Sequence, residues 1–347
     1  MVVKLGTGVL TDRRRQPDRG QLSQLVAQLA GQRRAGRELV VVSSGAVGAG
    51  MGVLGYEKRP AELSELQACA AVGQSRLMAT YSELFGEFGL SVGQVLLTHD
   101  DLRHHGRHLN ARNTLVTLLG RGVIPIINEN DAVSTTELKF GDNDRLSALV
   151  TCLLPADLLV ILTSVDGVLE GFEGPKPRVI SVIDRIDARL EGLAGGTVSH
   201  VSVGGMATKI DAARMVMRAG IPLVIASGRN PGALARIVEG EEEGTLFVPT
   251  PGKLRGRKRW IAFFHHPSGT IRVDAGAGRA LRDQGKSLLP PGVIDCDGEF
   301  ARGDVVRICD AEGTEFARGV TAYSAGEIRA GTLRRVEIVH RDNLVIL

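Results

Sequence analysis

The strongest constraint on the fold is a repeated order of short apolar run, glycine-containing turn and amphipathic stretch through the first 250 residues. Continuous apolar runs of this kind are typical of strands buried on both faces, and the stretches between them carry apolar residues at helical spacing. This alternation predicts an α/β fold with a doubly wound, mostly parallel sheet. The predicted strands are Val2–Leu5, Glu38–Ser43, Gly93–Leu97, Ile124–Ile127, Leu158–Leu162 and Pro222–Ala226.

A basic stretch separates this region from one with a different pattern. Residues 1–250 contain 26 Lys and Arg against 27 Asp and Glu, residues 251–260 contain five against none, and residues 261–347 contain 11 against 12. In the last region short Val and Ile runs alternate with turn residues, which predicts a small, mainly β barrel with one short helix over 276–285. The predicted division is a first domain at 1–252, a basic linker at 253–264 and a second domain at 265–347.

Composition excludes several classes of protein. Glycine accounts for 44 of 347 residues, but the glycines follow apolar runs singly and without a three-residue period, so the chain is neither collagen-like nor of low complexity. The four cysteines have no Cys-x-x-Cys spacing, which argues against a disulfide framework or a zinc ribbon. Pro155 and Asp157 interrupt the apolar stretch at 149–165, so we expect a cytoplasmic protein without membrane association.

Two other patterns are weaker than they look. Gly50–Gly55 spells G-x-G-x-x-G, but it lies too far after the preceding strand to form the first turn of a dinucleotide site. His104 and His108 have the i, i+4 spacing of a helical metal pair, but no glutamate accompanies them, and their charged neighbours favour a solvated helix start. We therefore predict no metal ion bound by the protein's own side chains.

Stronger signals follow the predicted strands, because doubly wound sheets bind ligands beyond the carboxyl ends of their strands. Lys4 lies one residue before the end of the first strand. Residues 203–209 lead into a predicted helix over 210–219 that begins at Ile210, with small residues followed by Thr208 and Lys209, an arrangement suited to a polyphosphate. Residues 128–144 add five carboxylates and three amides. Two lysines facing such a segment indicate phosphoryl transfer, in which catalysis is mainly positioning and charge neutralisation. No general base is evident, and a carboxylate acceptor, already ionised at neutral pH, needs none.

Taken in this order, the motifs resemble the amino acid kinase family over nearly the whole chain. The tail is similar to a PUA domain, on the strength of Ser287–Pro290 and Phe300–Asp304. The resemblance implies a doubly wound kinase domain followed by a small PUA barrel. The motifs that carry it in the first domain are Lys4–Thr7, Ser43–Ala46, Ala71–Gln74, Leu109–Arg112, Asn128–Asp131, Gly141–Asp144 and Gly204–Lys209.

The resemblance also implies an activity, namely ATP-dependent phosphorylation of the side-chain carboxylate of L-glutamate, the first step of proline biosynthesis. By resemblance, Lys4 and Lys209 neutralise the phosphoryl group in transit, and Asp144 holds the two lysines in place. Mg²⁺ would be held mainly through the ATP phosphates. The residues implied to bind glutamate are Ser44, Gly45, Ala46, Asn128, Asp131 and Asn143. The residues implied to bind ATP are Lys4, Gly6, Gly8, Thr163, Ser164, Val203, Gly204, Gly205, Met206, Ala207, Thr208 and Lys209.

Partners follow from the same resemblance, which implies feedback inhibition by proline and a homo-oligomer, either a dimer or a tetramer. Two alternatives stay open. One is a sibling kinase acting on another carboxylate or on carbamate. The other is an RNA-binding role for the tail, which the net charge of −1 over 261–347 disfavours because RNA-binding faces are normally basic.

Overall fold

The computed structural model describes residues 1–12, 17–133, 142–154, 156–171, 177–195, 205–249, 257–263, 267–331 and 337–347. The chain divides into two compact units, Met1–Lys253 and Leu254–Leu347. Within the described ranges, no helix combines the length and the apolar character needed to cross a membrane.

The predicted apolar strands of the first unit form one sheet. Its eight described strands run in the order β3-β4-β2-β1-β5-β9-β10-β8, and all neighbours are parallel except β9 and β10. β6 and β7 pair separately as a short antiparallel ribbon. This confirms the predicted fold class. The strands are β1 (Val2–Leu5), β2 (Val40–Ser43), β3 (Val92–Leu97), β4 (Ile124–Glu129), β5 (Leu159–Thr163), β6 (Leu169–Glu170), β7 (Arg178–Val179), β8 (Val182–Ile183), β9 (Leu223–Ser227) and β10 (Thr245–Phe247).

Helices cover the sheet and complete its core. The central strands β1, β2, β4, β5 and β9 are buried along their whole length, as their continuous apolar composition requires. One core cluster joins Val3 and Leu5 of the sheet to side chains of α2, α4 and α10. The helices of this unit are α1 (Thr7–Leu10), α2 (Arg19–Arg34), α3 (Ala46–Leu54), α4 (Leu63–Gly86), α5 (His99–Arg103), α6 (His105–Gly120), α7 (Asp142–Leu153), α8 (Ala188–Gly195), α9 (Met206–Arg218) and α10 (Ala233–Glu239).

Helices α3 and α4 approach each other backbone to backbone. A Cβ placed on Gly73 of α4 would lie 1.8 Å from the carbonyl oxygen of Ala46, and one on Gly50 of α3 would lie 1.8 Å from that of Cys69. Any side chain at either position would force the helices apart. The two glycines therefore fix where α3 begins, directly after β2 and the left-handed Gly45.

The second unit has its own sheet and core. Its described strands are ordered β12-β11-β13-β14-β15, and a separate cluster of buried side chains, including Ile271 and Phe300, packs against them. The predicted short helix is present as α12. The strands are β11 (Gly269–Val273), β12 (Val293–Gly298), β13 (Val305–Cys309), β14 (Glu315–Val320) and β15 (Leu344–Ile346), and the helices are α11 (Arg257–Phe263), α12 (Ala275–Gln284) and α13 (Ala325–Arg329).

Part of the predicted basic linker at 253–264 is helical. Residues 257–263 form α11, in which Ile261 and Ala262 are buried and the Ala262 carbonyl accepts a hydrogen bond from Arg318 Nη1 at 3.2 Å. The apolar residues that end the basic stretch pack into the second unit, where α11 contacts β14 and β15. α11 is therefore part of that unit.

The contact between α3 and α4 makes a stability prediction. Gly73→Ala should destabilise the first unit by about 2 kcal/mol or more, because the new methyl group overlaps the Ala46 carbonyl and a packed core resists the required shift. Gly86→Ala is the matched control in the same helix, where a Cβ meets nothing within 4 Å. It should be neutral or stabilising, since alanine favours helix over glycine by about 1 kcal/mol. Urea unfolding of both variants tests this, and equal effects would contradict it.

Candidate active site

Three buried charged side chains meet at the carboxyl end of the first sheet. Asp144 lies in the first turn of α7 and forms ion pairs with two lysines. Its Oδ1 lies 2.6 Å from Nζ of Lys4 on β1, and its Oδ2 lies 3.1 Å from Nζ of Lys209 on α9. Thr208 also donates to Asp144 Oδ2, at 2.7 Å. Asp144 is completely shielded from solvent, and both lysines are buried. The structure thus brings together the three residues implied to be catalytic, although 140 residues separate the first two in the sequence.

The electrostatics of this cluster favour the fully ionised form of the carboxyl group. Burial alone would raise the pKa of Asp144, but the charges of Lys4 and Lys209, with hydrogen bonds from Lys4 and Thr208, outweigh it and hold the pKa at about 2. Burial lowers the pKa of Lys209, and Lys4 adds to this, while Asp144 opposes it. Two ammonium groups against one carboxylate leave one positive charge in excess. The excess positive charge of the cluster therefore attracts a further anion.

The start of α9 adds to that positive character. The helix begins at Met206, and because its N-cap residue, Gly205, has no side chain, the cap residue makes no side-chain hydrogen bond to the amide groups of the first turn. The sequence predicted a start at Ile210, but Thr208 and Lys209 already lie in the first turn. Ala207 is exposed there, whereas Val203 and Gly204 lie outside the described residues.

The other residues implied to bind ATP lie at the ends of β1 and β5. A Cβ on Gly6 would lie 3.5 Å from Lys4 Nζ, and one on Gly8 would lie 3.3 Å from Ser164 Oγ. Thr163 is the last residue of β5 and is buried. Since β1 and β5 are neighbours, these residues form a continuous edge beside the lysines.

A chain of neutral amides lies on the other side of the lysines. Asn143 Nδ2 donates to the Ser43 carbonyl at 3.2 Å, to Ser44 Oγ at 3.0 Å and to Asn128 Oδ1 at 3.0 Å. Asn128 Nδ2 in turn donates to Gln74 Oε1 at 2.9 Å. Three of the residues implied to bind glutamate are therefore in direct contact, together with Gln74, for which the sequence analysis proposed no role.

Further residues support this network from outside. Tyr81 of α4 is fully buried, and its hydroxyl is hydrogen-bonded to Ser43 Oγ at 2.7 Å. Burial raises the pKa of Tyr81, so the hydroxyl stays protonated. Asp131 lies two residues after β4 and interacts electrostatically with Arg59. The sequence reasoning missed Gln74, Tyr81 and Arg59, although polar Gln74 and Tyr81 within the apolar stripe of α4 were a detectable signal.

The histidine-rich segment contains helix starts, as predicted, but one of its histidines is buried. His108 is buried, and its Nδ1 lies 3.2 Å from the Leu102 carbonyl oxygen, so the solvated helix start predicted there is wrong at this residue. His104 is the N-cap residue of α6 and makes no side-chain capping hydrogen bond, whereas Thr98 and Asp101 form a capping box that starts α5. Among the described residues, no group of three or more His, Cys, Asp or Glu side chains is placed to hold a metal ion.

Comparisons with known proteins agree with this architecture. Residues 1–227 match the model of the amino acid kinase family, and residues 269–342 match that of the PUA domain. Glutamate 5-kinase of Geobacter sulfurreducens is 49% identical, covering 100% of this chain and 97% of that protein. The Methylococcus capsulatus enzyme of the same name is 47% identical over 100% and 96%. Carbamate kinase from Giardia lamblia bound to AMP-PNP shares the fold, with a TM-score of 0.53 at 18% identity, over 72% of this chain and 98% of that chain.

The charged cluster makes a prediction about stability and pH. The pKa of Asp144 is about 2 in the fold against an ordinary value of 3.8. Because the folded value is the lower one, its contribution is complete well above pH 3.8 and is lost as the pH falls toward 2. Nearly two pKa units correspond to about 2 kcal/mol, of which roughly half should be gone by pH 3. Asp144→Asn should remove this pH dependence and cost about 3 kcal/mol at pH 7, because two buried ammonium groups lose their counter-charge.

Urea unfolding at pH 7, 5 and 3 measures both effects, and the difference between variant and wild type cancels the titration of other carboxyl groups. Asp211→Asn is the control, since Asp211 is an exposed carboxylate on the same helix as Lys209. Identical pH profiles for Asp144→Asn and the wild type would contradict the assignment.

Proposed function

This chain belongs to the amino acid kinase family, and we propose that it transfers the γ-phosphoryl group of ATP to the side-chain carboxylate of L-glutamate, giving ADP and L-glutamate 5-phosphate. This reaction is the first step of proline biosynthesis. The observation that carries the proposal is the buried Lys4–Asp144–Lys209 cluster, in a chain that matches glutamate 5-kinases along its whole length.

The cluster suits phosphoryl transfer to a carboxylate. Negative charge is spread over the oxygens of the transferred group, and a site that holds cations in fixed positions stabilises that charge without reorganisation. Lys4 and Lys209 supply the cations, and Asp144 keeps two like charges side by side in a buried position. The acceptor carboxylate is already ionised, so one of its oxygens attacks phosphorus directly and no general base is required.

The acceptor binds on the side of β2 and β4. Ser44 Oγ accepts a hydrogen bond from Asn143, so its own hydrogen is available to an oxygen of the substrate. The amides of Gly45 and Ala46, at the start of α3, suit a carboxylate. Asp131 provides a negative charge for the substrate ammonium. The proposed glutamate-binding residues are therefore Ser44, Gly45, Ala46, Asn128, Asp131 and Asn143.

ATP binds on the side of β5 and α9. The first turn of α9 and the small residues Gly6 and Gly8 allow backbone groups to approach the phosphates, and Thr163 and Ser164 lie beside them. We propose that Mg²⁺ is bound mainly through the phosphate oxygens of ATP, where it neutralises charge, because Mg²⁺ keeps several of its waters and takes few protein ligands.

Partners and location complete the proposal. Proline shares the α-carboxylate and the α-amine of glutamate, so we propose that it inhibits by occupying the same α-group site, and that the protein is a homo-oligomer. A cytoplasmic location fits an enzyme that consumes ATP and glutamate.

The basic residues of α11 favour RNA binding by the second unit, whereas the net charge of −1 over 261–347 opposes it.

The activity is tested by following ADP formation with a panel of acceptors. We expect turnover that requires L-glutamate and Mg²⁺, and a loss of about 100-fold or more in kcat for Lys209→Ala, because a cation that stabilises the transition state is removed. Lys286→Ala, which changes an exposed lysine of the second unit, should retain wild-type rates. Faster turnover with N-acetylglutamate, aspartate or carbamate would assign the chain to a sibling activity.

Proline inhibition is tested through Asp131. We expect proline to raise the apparent KM for glutamate without changing kcat, since the two amino acids compete for one site. Asp131→Asn should weaken glutamate and proline binding in parallel, by about tenfold or more, because both lose the same charged partner of their ammonium group. Asp283→Asn, an exposed change in the second unit, is the control. Inhibition that saturating glutamate cannot relieve would place proline at a separate site.

A further inference from the structure

The amide chain beside the lysines has a fixed direction. It runs from Asn143 on α7 through Asn128 at the end of β4 to Gln74 on α4, with each Nδ2 donating to the oxygen of the next side chain. Asn128 and Gln74 are more than nine-tenths buried. A buried hydrogen-bonded chain of this kind holds its members rigidly, because each amide depends on its neighbour for a partner.

Two backbone groups determine which amide atom is nitrogen and which is oxygen. The Glu129 N–H donates to one atom of the Asn128 amide at 2.9 Å, and since a backbone N–H can only donate, that atom is Oδ1. The Ser43 carbonyl can only accept, so the Asn143 atom 3.2 Å away is Nδ2. With Asn128 Oδ1 fixed, its Nδ2 faces Gln74, and the facing atom of Gln74 must be Oε1. The orientation of all three amides therefore follows from the backbone.

This direction leaves two open ends of opposite character. Gln74 Nε2, a donor, and Asn143 Oδ1, an acceptor, are both buried and have no hydrogen-bond partner among the described residues. A buried polar atom without a partner is unfavourable in a folded protein, so such atoms need a partner, which an ordered water or a bound ligand can supply. A ligand that satisfies both ends must offer an acceptor to Gln74 and a donor to Asn143.

The strand order places Gln74 Nε2 and Asn143 Oδ1 at the end of the acceptor opposite the carboxylate that reacts. Lys4 is on β1, whereas Asn128 is on β4, two strands away in the order β4-β2-β1. Neighbouring strands are about 4.8 Å apart, so the two strand ends are separated by roughly 10 Å. An extended glutamate whose side-chain carboxylate lies at the lysines therefore has its α-carboxylate and α-ammonium near the amide chain. These are the acceptor and the donor that the open ends require.

We propose that Gln74 is a specificity-determining residue that binds the α-carboxylate of the acceptor through Nε2, while Asn143 Oδ1 accepts a hydrogen bond from the α-ammonium group. This inference rests on the proposed function. Gln74 then contacts the substrate directly, and tight binding requires a free α-carboxylate on the acceptor. An acceptor with a carboxamide at this position offers Nε2 a neutral oxygen, so the hydrogen bond loses the contribution of the carboxylate charge.

The test replaces the donor with an acceptor of the same shape. Gln74→Glu keeps an oxygen toward Asn128 but places carboxylate oxygen where Nε2 stood, so it opposes an anionic ligand. Gln32→Glu is the matched control, because Gln32 of α2 is also a buried glutamine with an amide atom that has no hydrogen-bond partner among the described residues. The two readouts are the KM for L-glutamate and the inhibition constant of L-isoglutamine, in which the α-carboxylate is a carboxamide.

Gln74→Glu should raise the KM for L-glutamate by about 100-fold, because a buried donor contact is replaced by repulsion. It should leave the isoglutamine inhibition constant within about threefold of wild type and the KM for ATP unchanged, and Gln32→Glu should change none of these constants. A structural role for Gln74 would raise both acceptor constants by the same factor, and that result, or an effect equal to that of Gln32→Glu, overturns the proposal.

A second variant covers loss of folding. If thermal melting shows that Gln74→Glu does not fold, Gln74→Met removes both amide atoms at similar length and should raise the KM for L-glutamate by about tenfold with isoglutamine again little changed. An equal change for both acceptors in this variant also overturns the proposal. A wild-type protein without glutamate-dependent ADP formation would instead refute the proposed function, so the two failures are distinguishable.

Discussion

The structure of the first unit depends on one buried carboxylate that compensates two buried ammonium groups. Lys4 comes from the central strand, Asp144 from α7 and Lys209 from α9, so the three elements can pack only if all three charges meet. Burying a single uncompensated charge costs several kcal/mol, whereas pairing with the two lysines keeps the Asp144 carboxyl group ionised. The low pKa of Asp144, about 2, reflects how strongly the two lysines stabilise its ionised form.

The chemistry of the site changes along the order of the strands. The two lysines lie on β1 and α9, on the side that we propose for the polyphosphate. Neutral amides and hydroxyls lie at the ends of β2 and β4, on the side that we propose for the amino acid, which needs both donors and acceptors. A doubly wound sheet makes this division possible, because parallel strands deliver residues from distant parts of the chain to one edge. The close packing of Gly50 and Gly73 between α3 and α4 holds the amide side in place.

The sequence was informative wherever a short-range pattern carries the physics. Buried parallel strands need continuous apolar runs, so all six predicted strands are present within two residues of their expected bounds. The position of Lys4 at a strand end and of Lys209 near a helix start likewise required only local reading. The start of α9 was misplaced because Met206 and Ala207 follow glycines and look like part of the turn, although their backbone is already helical.

Contacts between residues far apart in the chain were decided only by the tertiary structure. The hydrogen bond between Asn128 and Gln74 spans 54 residues, and neither side chain alone reveals whether its amide binds a neighbour, water or a ligand. The same holds for buried His108 and for α11, whose charged surroundings favoured solvent exposure until packing was known. Periodicity determines which face of an element is apolar, and so the sequence determined the strands, the helices and the end of the sheet that bears the site. Which polar groups remain open for a substrate depends on the partners that folding brings to them.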